Sequence, residues 1–212
     1  MIRLDIFADP VCPWCLIGKT ELDRALESRA EHPFDITWHP FRLNPQMPRE
    51  GMDRVEYLRV KLGDRAEDAS RAVAERAAAL GLNLNPSPRE PDTTDAHRLM
   101  HWAGLEGAQS RVMSGLLRAH WLEARDIGQP QELIQIAANA GMDSEMVQNL
   151  LKGDADRDEV LRREAHARER GISSVPTFIV ADQHAVSGAQ PAALWVKVID
   201  ELSGPQTAEQ TD

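Results

Sequence analysis

The sequence contains two cysteines, and both lie in the run Cys12-Pro13-Trp14-Cys15. Two cysteines separated by two residues can form a redox-active disulfide, contribute half of a zinc site, or remain inert buried thiols. In a redox pair, the thiolate of one cysteine attacks a substrate disulfide, and the other cysteine then attacks the mixed disulfide and releases the substrate. The type and spacing of these residues therefore indicate thiol chemistry.

A zinc site is the weaker interpretation of the pair. Zinc needs about four protein ligands, and the sequence offers no second cysteine pair. His97 and His101 are four residues apart and would share a helix face, but the run between them lacks the glutamate of a His-Glu-x-x-His motif. We therefore expect no metal site, and two inert thiols remain the other alternative.

The pair is predicted to lie where a strand passes into a helix. Residues 2–8 alternate apolar and charged side chains, which predicts a strand with one buried face. After Asp9-Pro10 the apolar residues recur at helical spacing, and residues 34–38 alternate again. This order of strand, helix and strand predicts a right-handed parallel crossover.

At this junction, Cys12 is predicted to lie at the N-terminus of the helix. Unpaired backbone N–H groups and the positive end of the helix dipole favour a thiolate there, so Cys12 is expected to attack and Cys15, one turn further on, to resolve. Pro13 suits the first helical turn because it lacks only an N–H that would be unpaired anyway. Trp14 would give the exposed tip an aromatic, uncharged surface.

In the remainder of the chain, the period of the apolar residues changes twice. From about residue 52 to residue 171 the pattern is helical almost throughout, with glycines where helices end, and we expect six or seven helices. Residues 177–180 and 184–187 then predict a hairpin. Pro191 is expected in the first turn of a last helix that ends near Leu202.

These elements predict an α/β fold, namely a thioredoxin-like fold with an inserted all-helical domain. The thioredoxin-like part is discontinuous and comprises residues 1–50 and 172–203, whereas the helical insertion comprises residues 51–171. Residues 204–212 are predicted to be a disordered tail. Because both chain ends build one sheet, we expect a single cooperative unit.

Composition and charge narrow the classes of partner. The 212 residues are 42% hydrophobic and carry a net charge of −10, so a sizeable core can form but the cationic field needed for nucleic acid is missing. We expect neither a nucleic-acid nor a membrane partner, because no stretch approaches the roughly 20 apolar residues of a membrane span. The early charges argue against a signal peptide and favour the cytoplasm, where a close cysteine pair is more often catalytic than structural.

A second signal is the proline of Val175-Pro176-Thr177-Phe178, just before the predicted hairpin. On the residues alone, a trans loop proline is the favoured interpretation, because only about 5–6% of X-Pro bonds in folded proteins are cis.

Taken together, these segments resemble the DsbA family of thioredoxin-fold oxidoreductases. Within it they look most like the FrnE-like branch, which lies near the 2-hydroxychromene-2-carboxylate isomerases and kappa-class glutathione transferases. The similarity extends over about residues 2–202, and the segments that carry it are 9–18, 38–43, 95–99, 175–178 and 186–191.

The resemblance implies a cis bond before Pro176 and a loop packed against the two cysteines. Pro176 would thereby join Cys12 and Cys15 as a catalytic residue, and the Val175 backbone would pair with an extended substrate peptide. Pro13 and Trp14 would contribute to the substrate-binding surface. The resemblance also implies that the helical block forms one wall of the site.

The function predicted in this way is thiol–disulfide exchange with protein or small-molecule thiols and disulfides. No bound cofactor is expected, and glutathione is a candidate redox partner. The alternative is a glutathione-dependent isomerase or transferase, but such enzymes usually carry serine in place of the first cysteine and an Asp-Arg where this sequence has Gln190-Pro191. A second cysteine pair found in some FrnE-like proteins is absent here, and the uncharged Trp14 leaves the direction of exchange open.

Four further residues have both a functional and a structural interpretation. His39 and His97 fall in family-like segments and are candidates for proton transfer to Cys15, although a strand-end and a helix-face role are favoured. Phe41 is a candidate for an apolar substrate groove, although a place in the core is favoured. Arg42 is a candidate for holding a substrate carboxylate.

Overall fold

The computed structural model describes residues 1–203, so the predicted tail at 204–212 lies outside the described residues. Strand β1 (Ile2–Ala8) leads to helix α1 (Pro13–Glu27) and strand β2 (Phe34–Pro40). β1 and β2 pair in parallel, with Ile6 opposite Trp38. The predicted parallel strand–helix–strand unit is confirmed.

The second segment is a helical block, as the glycine-punctuated pattern predicts. It begins with a two-residue strand, β3 (Met52–Asp53), and a second, β4 (Arg89–Glu90), pairs with it in antiparallel fashion. Residues 54–169, all of which the structure describes, hold seven α-helices: α2 (Arg54–Leu62), α3 (Ala66–Ala79), α4 (Thr94–Leu105), α5 (Gln109–Leu122), α6 (Pro130–Asn139), α7 (Ser144–Leu151) and α8 (Arg157–Glu169).

The short strands β3 and β4 interrupt a region whose sequence pattern predicts helices almost throughout. Two-residue strands carry no periodicity that a sequence pattern can show. Gly51 makes their pairing possible: its φ is +70°, and a Cβ built there would lie 2.6 Å from the carbonyl oxygen of Glu90. Only glycine fits this approach without strain.

The chain ends with the predicted hairpin and helix. Strands β5 (Thr177–Val180) and β6 (His184–Ser187) pair antiparallel, and helix α9 (Ala192–Ser203) follows. β5 also pairs antiparallel with β1, which gives one mixed sheet in the order β2-β1-β5-β6. The N- and C-terminal segments therefore build one sheet, and the α/β class is confirmed.

The prediction that β1 has one buried face is wrong. Every residue from Leu4 to Ala8 is buried, including Asp5 at 4% exposure. β1 lies between β2 and β5, and successive side chains point to opposite faces, so both faces of the strand are covered. Asp5 tolerates burial because Arg3 and His39 pair with its carboxylate.

One hydrophobic core joins the sheet to the helical block. Its members come from β1, α1 and α9 and from helices of the block, for example Leu4, Leu22, Trp195, Leu99, Leu116 and Val147. Among residues 1–203, no helix is both long and apolar enough to cross a membrane.

Candidate active site

Cys12 lies at the N-terminal boundary of α1, as the sequence predicts. It is the N-cap residue, with φ −85° and ψ 118°, and Pro13 follows in the first turn. The Cys12 carbonyl accepts the N–H of Cys15 at 3.0 Å. Cys12 therefore occupies the position at which the first-turn N–H groups of the helix lack intrahelical acceptors.

The loop before β5 covers the Cys12 sulfur. The thiol of Cys12 donates to the carbonyl oxygen of Val175 at 3.5 Å, and the Val175–Pro176 bond is cis, which confirms the expectation drawn from the resemblance. The Pro176 carbonyl accepts the N–H of Gly188 at 2.8 Å, so the loop is tied to the end of β6. Two chain segments more than 160 residues apart thus meet at one sulfur.

Both cysteines are buried, Cys12 at 3% exposure, and the hydrogen bond to the loop comes from Cys12. Cys15 is 1% exposed, and both cysteines are free thiols. Burial raises the pKa of Cys15 well above the ordinary value for a thiol, and contact with Cys12 and the negative charge of Asp9 add to the effect. Cys15 is therefore held as a neutral thiol until a base takes its proton.

The turn between β1 and α1 is anchored on both sides. The N–H of Cys12 donates to the carbonyl of Asp9 at 2.9 Å, and the indole N–H of Trp121 donates to the carbonyl of Pro10 at 3.0 Å. The N–H of Leu43 donates to Oδ2 of Asp9 at 2.7 Å. The position of Cys12 is therefore fixed by contacts from the end of β2 and from α5.

Asp9 itself is fully buried, and its other carboxylate oxygen faces His97. The distance from Oδ1 of Asp9 to Nε2 of His97 is 3.5 Å, and both residues are at most 1% exposed. The sequence placed His97 on a helix but gave no reason to pair it with Asp9. The available signal was an acidic residue three positions before the first cysteine, inside an otherwise apolar segment.

A polar wall lies beside the site: helix α2 contributes Arg54, Tyr57 and Lys61, β4 contributes Glu90, and the segment after β2 contributes Asn44. Oδ1 of Asn44 accepts from Tyr57 at 2.9 Å and from Lys61 at 2.7 Å, and Arg54 pairs with Glu90 at 2.7 Å. The wall is electrostatically joined to the site, since burial lowers the pKa of Lys61 whereas the negative charges of Glu90, Asp9 and Cys12 raise it. Sequence reasoning did not identify these residues.

Within the wall, Glu90 is the carboxyl whose environment most disfavours ionisation. Burial raises the pKa of Glu90 to about 7, the nearby Arg54 opposes this rise, and the Asp9 charge adds to it. Next to the wall, burial lowers the pKa of His120 to about 3, and Arg54 lowers it further. Near neutral pH, His120 is therefore uncharged.

The predicted substrate-binding residues occupy different environments. Trp14 is 39% exposed and Pro13 is partly exposed, so both contribute to the surface around Cys12. Val175 supplies the carbonyl that contacts Cys12. Phe41 is only 1% exposed, and the Arg168 guanidinium lies 4.1 Å from its ring centroid. The position of Phe41 therefore does not support the prediction that it contacts substrate.

Arg42 and His39 both have structural partners. Arg42 donates to Glu164 at 2.6 Å and to Thr94 at 3.1 Å, which ties the end of β2 to α8 and α4. His39 contacts Asp5 at 2.5 Å and stacks on the ring of Phe7. Neither side chain is free to bind substrate in this arrangement.

Within residues 1–203, no group of three or more His, Cys, Asp or Glu side chains is arranged to hold a metal ion. His101, considered with His97 as an auxiliary ligand, is instead 4.0 Å from Asp156.

Comparison with known structures places the fold among disulfide oxidoreductases and related enzymes. A probable DsbA oxidoreductase from Streptomyces coelicolor is 27% identical, with a TM-score of 0.85 over all of this chain and 94% of that one. A 2-hydroxychromene-2-carboxylate isomerase is 17% identical, with a TM-score of 0.73 over 99% of this chain and 100% of that one. The cytosolic disulfide reductase DsbM from Pseudomonas aeruginosa, solved with glutathione, is 17% identical, with a TM-score of 0.69 over 95% of this chain and 100% of that one.

The family comparison covers nearly the whole described chain. Residues 3–200 match the model of the DSBA-like thioredoxin domain, a span that includes both cysteines, the helical block and the Val175–Pro176 loop. The chain therefore belongs to the family of DSBA-like thioredoxin domains.

Proposed function

We propose that this protein is a thiol–disulfide oxidoreductase that exchanges disulfides through Cys12 and Cys15. The observation that carries the proposal is the unequal placement of two free thiols one helical turn apart. Cys12 is the N-cap of the helix and its thiol donates to the Val175 carbonyl, whereas burial and the contact with Cys12 keep Cys15, one turn further on, a neutral thiol. One sulfur is thus placed to meet a substrate and the other to release it.

The exchange proceeds in two displacements. The Cys12 thiolate attacks one sulfur of a substrate disulfide, a Cys12–substrate bond forms, and the first substrate thiolate leaves. The Cys15 thiol then loses its proton, its sulfur attacks Cys12, and the second substrate thiolate leaves as the Cys12–Cys15 disulfide forms. The substrate gains two electrons and the protein loses two; the reverse sequence oxidises a substrate dithiol.

Substrates would approach over the surface formed by Pro13, Trp14 and Val175. An extended peptide fits this surface because the backbone of the Val175 loop can pair with a strand while Trp14 packs against its side chains. Glutathione is the small-molecule partner we favour. Its presence in the DsbM structure, which shares this fold, supports that choice, as does the cytosolic location stated for DsbM.

A glutathione-dependent isomerase is the competing function, because the isomerase fold is shared over almost the full chain. The resolving thiol argues against it. An isomerase needs glutathione held as a thiolate and has no use for a second sulfur one turn away, since that sulfur would form a disulfide with the first.

Equilibration in glutathione redox buffers tests the proposal. Free thiols are counted after acid quenching for the wild type, Cys12→Ser and Cys15→Ser. We expect a reversible two-electron transition in the wild type, which neither variant retains. Absence of that transition, together with saturable glutathione binding that survives Cys15→Ser, would instead establish the isomerase-type function.

A further inference from the structure

A cavity of about 450 Å³ lies against the open edge of the four-stranded sheet. Strand β2 is the first in the order β2-β1-β5-β6, so one of its sides has no neighbouring strand. The cavity is lined there by residues 35–37, and around them by the end of α4, the start of α5 and Arg163 of α8. Its volume falls within the range of about 300–1,000 Å³ that small ligands occupy. None of its lining residues belongs to the cysteine site.

Gln109 shows what this edge can bind. Its Oε1 accepts the N–H of Trp38 at 2.9 Å, and its Nε2 donates to the Trp38 carbonyl at 3.1 Å. A carboxamide therefore pairs with both backbone groups of one β2 residue, as a neighbouring strand would. A peptide bond offers the same donor and the same acceptor, so it can bind this edge in the same way.

Ile36 presents the same two backbone groups without a partner. Successive strand residues direct their N–H and C=O groups to alternate sides, so Ile36 directs its groups as Trp38 does, away from β1. β1 bonds to the other set of residues, as the 2.6 Å contact from the N–H of Ile2 to the Pro33 carbonyl shows. No hydrogen bond among residues 1–203 reaches the outward N–H or C=O of Ile36.

The edge of β2 is closed on both sides of this position. The N–H of Phe34 donates to Nδ1 of His32 at 3.3 Å, and Pro40, at the other end, has no N–H. Open edges invite pairing with other chains, and proteins usually cover them. The gap at Ile36, which faces the cavity, is therefore a local opening in an edge that is otherwise covered.

Arg163 supplies a cation at the cavity. Its Nε donates to Glu159 at 2.8 Å, whereas its two Nη groups have no hydrogen-bond partner among residues 1–203, and the side chain is 42% exposed. A guanidinium with free donors matches the geometry of a carboxylate. Leu105, which is 77% exposed, adds an apolar surface. Asp35 also lines the cavity, but it is exposed to solvent, which screens its charge.

We propose that this cavity binds an extended peptide segment that carries a carboxylate side chain. The backbone of the peptide pairs with the N–H and C=O of Ile36, its carboxylate accepts from the Nη groups of Arg163, and an apolar side chain next to the carboxylate packs on Leu105. A second copy of this chain fits less well, because α4, α5 and α8 border the cavity and leave room for a single extended segment. The inference goes beyond thiol exchange and does not depend on it.

Titration of the ¹⁵N-labelled protein with short peptides tests the proposal by NMR. The probe is the acetylated and amidated peptide Ser-Val-Asp-Val-Ser, which contains no sulfur. One analogue carries Asn in place of Asp, and another carries methyl groups on its three central peptide nitrogens. We expect the Asp peptide to shift the amide resonance of Ile36 saturably. The Asn analogue should bind about fivefold more weakly, and the methylated analogue at least about tenfold more weakly.

Two neighbouring arginines give a matched pair of variants. Arg163→Gln should weaken binding of the Asp peptide to the level of the Asn analogue and leave the Asn analogue unchanged. Arg162 also pairs with Glu159, but it does not line the cavity, so Arg162→Gln should change neither affinity. Asp35→Asn should not weaken either peptide.

Ile36→Pro removes the outward N–H and leaves the β1–β2 ladder intact, since proline is tolerated on an edge strand where its N–H would face outward. Binding of the Asp peptide, followed here at the side-chain amide of Gln109, should be lost. The methylated peptide carries the same test on the wild-type protein if Ile36→Pro does not fold.

Three results would overturn the proposal. The Ile36 resonance could stay unmoved at millimolar Asp peptide, the methylated analogue could bind as well as its parent, or Arg163→Gln could leave the preference for Asp over Asn unchanged. Sedimentation provides a further check: a concentration-dependent dimer that Ile36→Pro abolishes would assign the edge to a second copy of this chain and not to a peptide. All of these outcomes leave the exchange function standing, because none of the readouts involves a thiol.

Discussion

Two aspartate–histidine contacts lie within one short segment of this molecule and differ in almost every respect except residue type. Asp5 and His39 join β1 to β2 at 2.5 Å, and Arg3 also pairs with the Asp5 carboxylate at 2.8 Å. Asp9 and His97 join the turn after β1 to α4 at 3.5 Å, with an unpartnered atom on each side. The first contact is satisfied and holds the sheet together; the second is unsatisfied and borders the thiols.

The difference shows that a buried aspartate–histidine contact can be satisfied in the sheet and left without a hydrogen bond beside the cysteines. A satisfied pair contributes to folding, whereas an unsatisfied one opposes it and is retained where a site requires it. If this comparison is correct, substitutions on the two sides should change stability in opposite directions.

Glu90→Gln should produce the largest change in stability. Glu90 is the buried carboxyl on which the charge of Asp9 acts. The folded-state pKa of Glu90 is raised from 4.5 to about 7, so the folded protein binds this proton more tightly, and the corresponding stability is present below about pH 4.5 and lost as pH rises through about 7. Glutamine cannot ionise. Relative to the wild type, the free energy of unfolding of Glu90→Gln should therefore rise by up to about 3 kcal/mol between about pH 4 and pH 8. Urea unfolding measures both proteins. Parallel stability curves for the two proteins would show that Glu90 does not titrate in this way.

Asp5→Asn and Asp9→Asn should then differ in sign. Asp5→Asn removes the charge that pairs with Arg3 and His39, and we expect a loss of about 1–3 kcal/mol in unfolding free energy. Asp9→Asn places an amide donor opposite Nε2 of His97 and keeps an oxygen for the N–H of Leu43, so it should be neutral or stabilising. Urea midpoints at pH 7 measure both. Equal losses in the two variants would remove the distinction between the contacts.

Gly18→Ala should have the smallest effect on stability. It acts on the loop that contains Val175 and Pro176, which contacts Cys12. A Cβ at Gly18 would lie 3.0 Å from Cγ of Pro176 and 3.4 Å from Cα of Ala189, which overpacks the contact. We expect a net loss of about 1 kcal/mol, since crowding outweighs the gain in helix propensity. The attack of Cys12 on 5,5′-dithiobis(2-nitrobenzoate), measured by the release of thionitrobenzoate, should be severalfold slower.

Gly153→Ala is the matched control for this variant, because no atom lies within 4 Å of the Cβ that it would add. It should leave both the unfolding free energy and the release rate near the wild-type values. A Gly18→Ala protein that is more stable than the wild type and reacts at the same rate would contradict this expectation. It would show that the Pro176 loop moves away from the added methyl group with no loss of stability or reactivity.

Much of the fold was predictable because it depends on periodic burial. The strand–helix–strand start, the helical block and the final hairpin all follow from patterns of period 2 or 3.6. The pattern was misleading at Asp5, where alternation suggests a solvent-facing side chain; burial on both faces of β1 follows from the sheet order, which no local pattern contains.

The site was predictable only in part. The cysteine pair, its place at the helix N-terminus and the Pro176 loop follow from spacing and from the family resemblance. Asp9, the polar wall and the partner of His97 depend on contacts between residues 13 to 88 positions apart, and no local sequence pattern distinguishes them. Phe41 and Arg42 carried family-like positions, yet their structural contacts are with the core and with Glu164.

The central claim is that Cys12 attacks and Cys15 resolves, and trapping with oxidised glutathione tests it most directly. Each reduced protein is incubated with oxidised glutathione, quenched with acid and weighed intact by mass spectrometry. Cys15→Ser should retain one glutathione on Cys12, Cys12→Ser should retain almost none, and the wild type should lose two hydrogens without retaining glutathione. Glutathione on Cys12→Ser at a rate equal to or above that of Cys15→Ser, or a stable glutathione adduct on the wild type, would contradict the account.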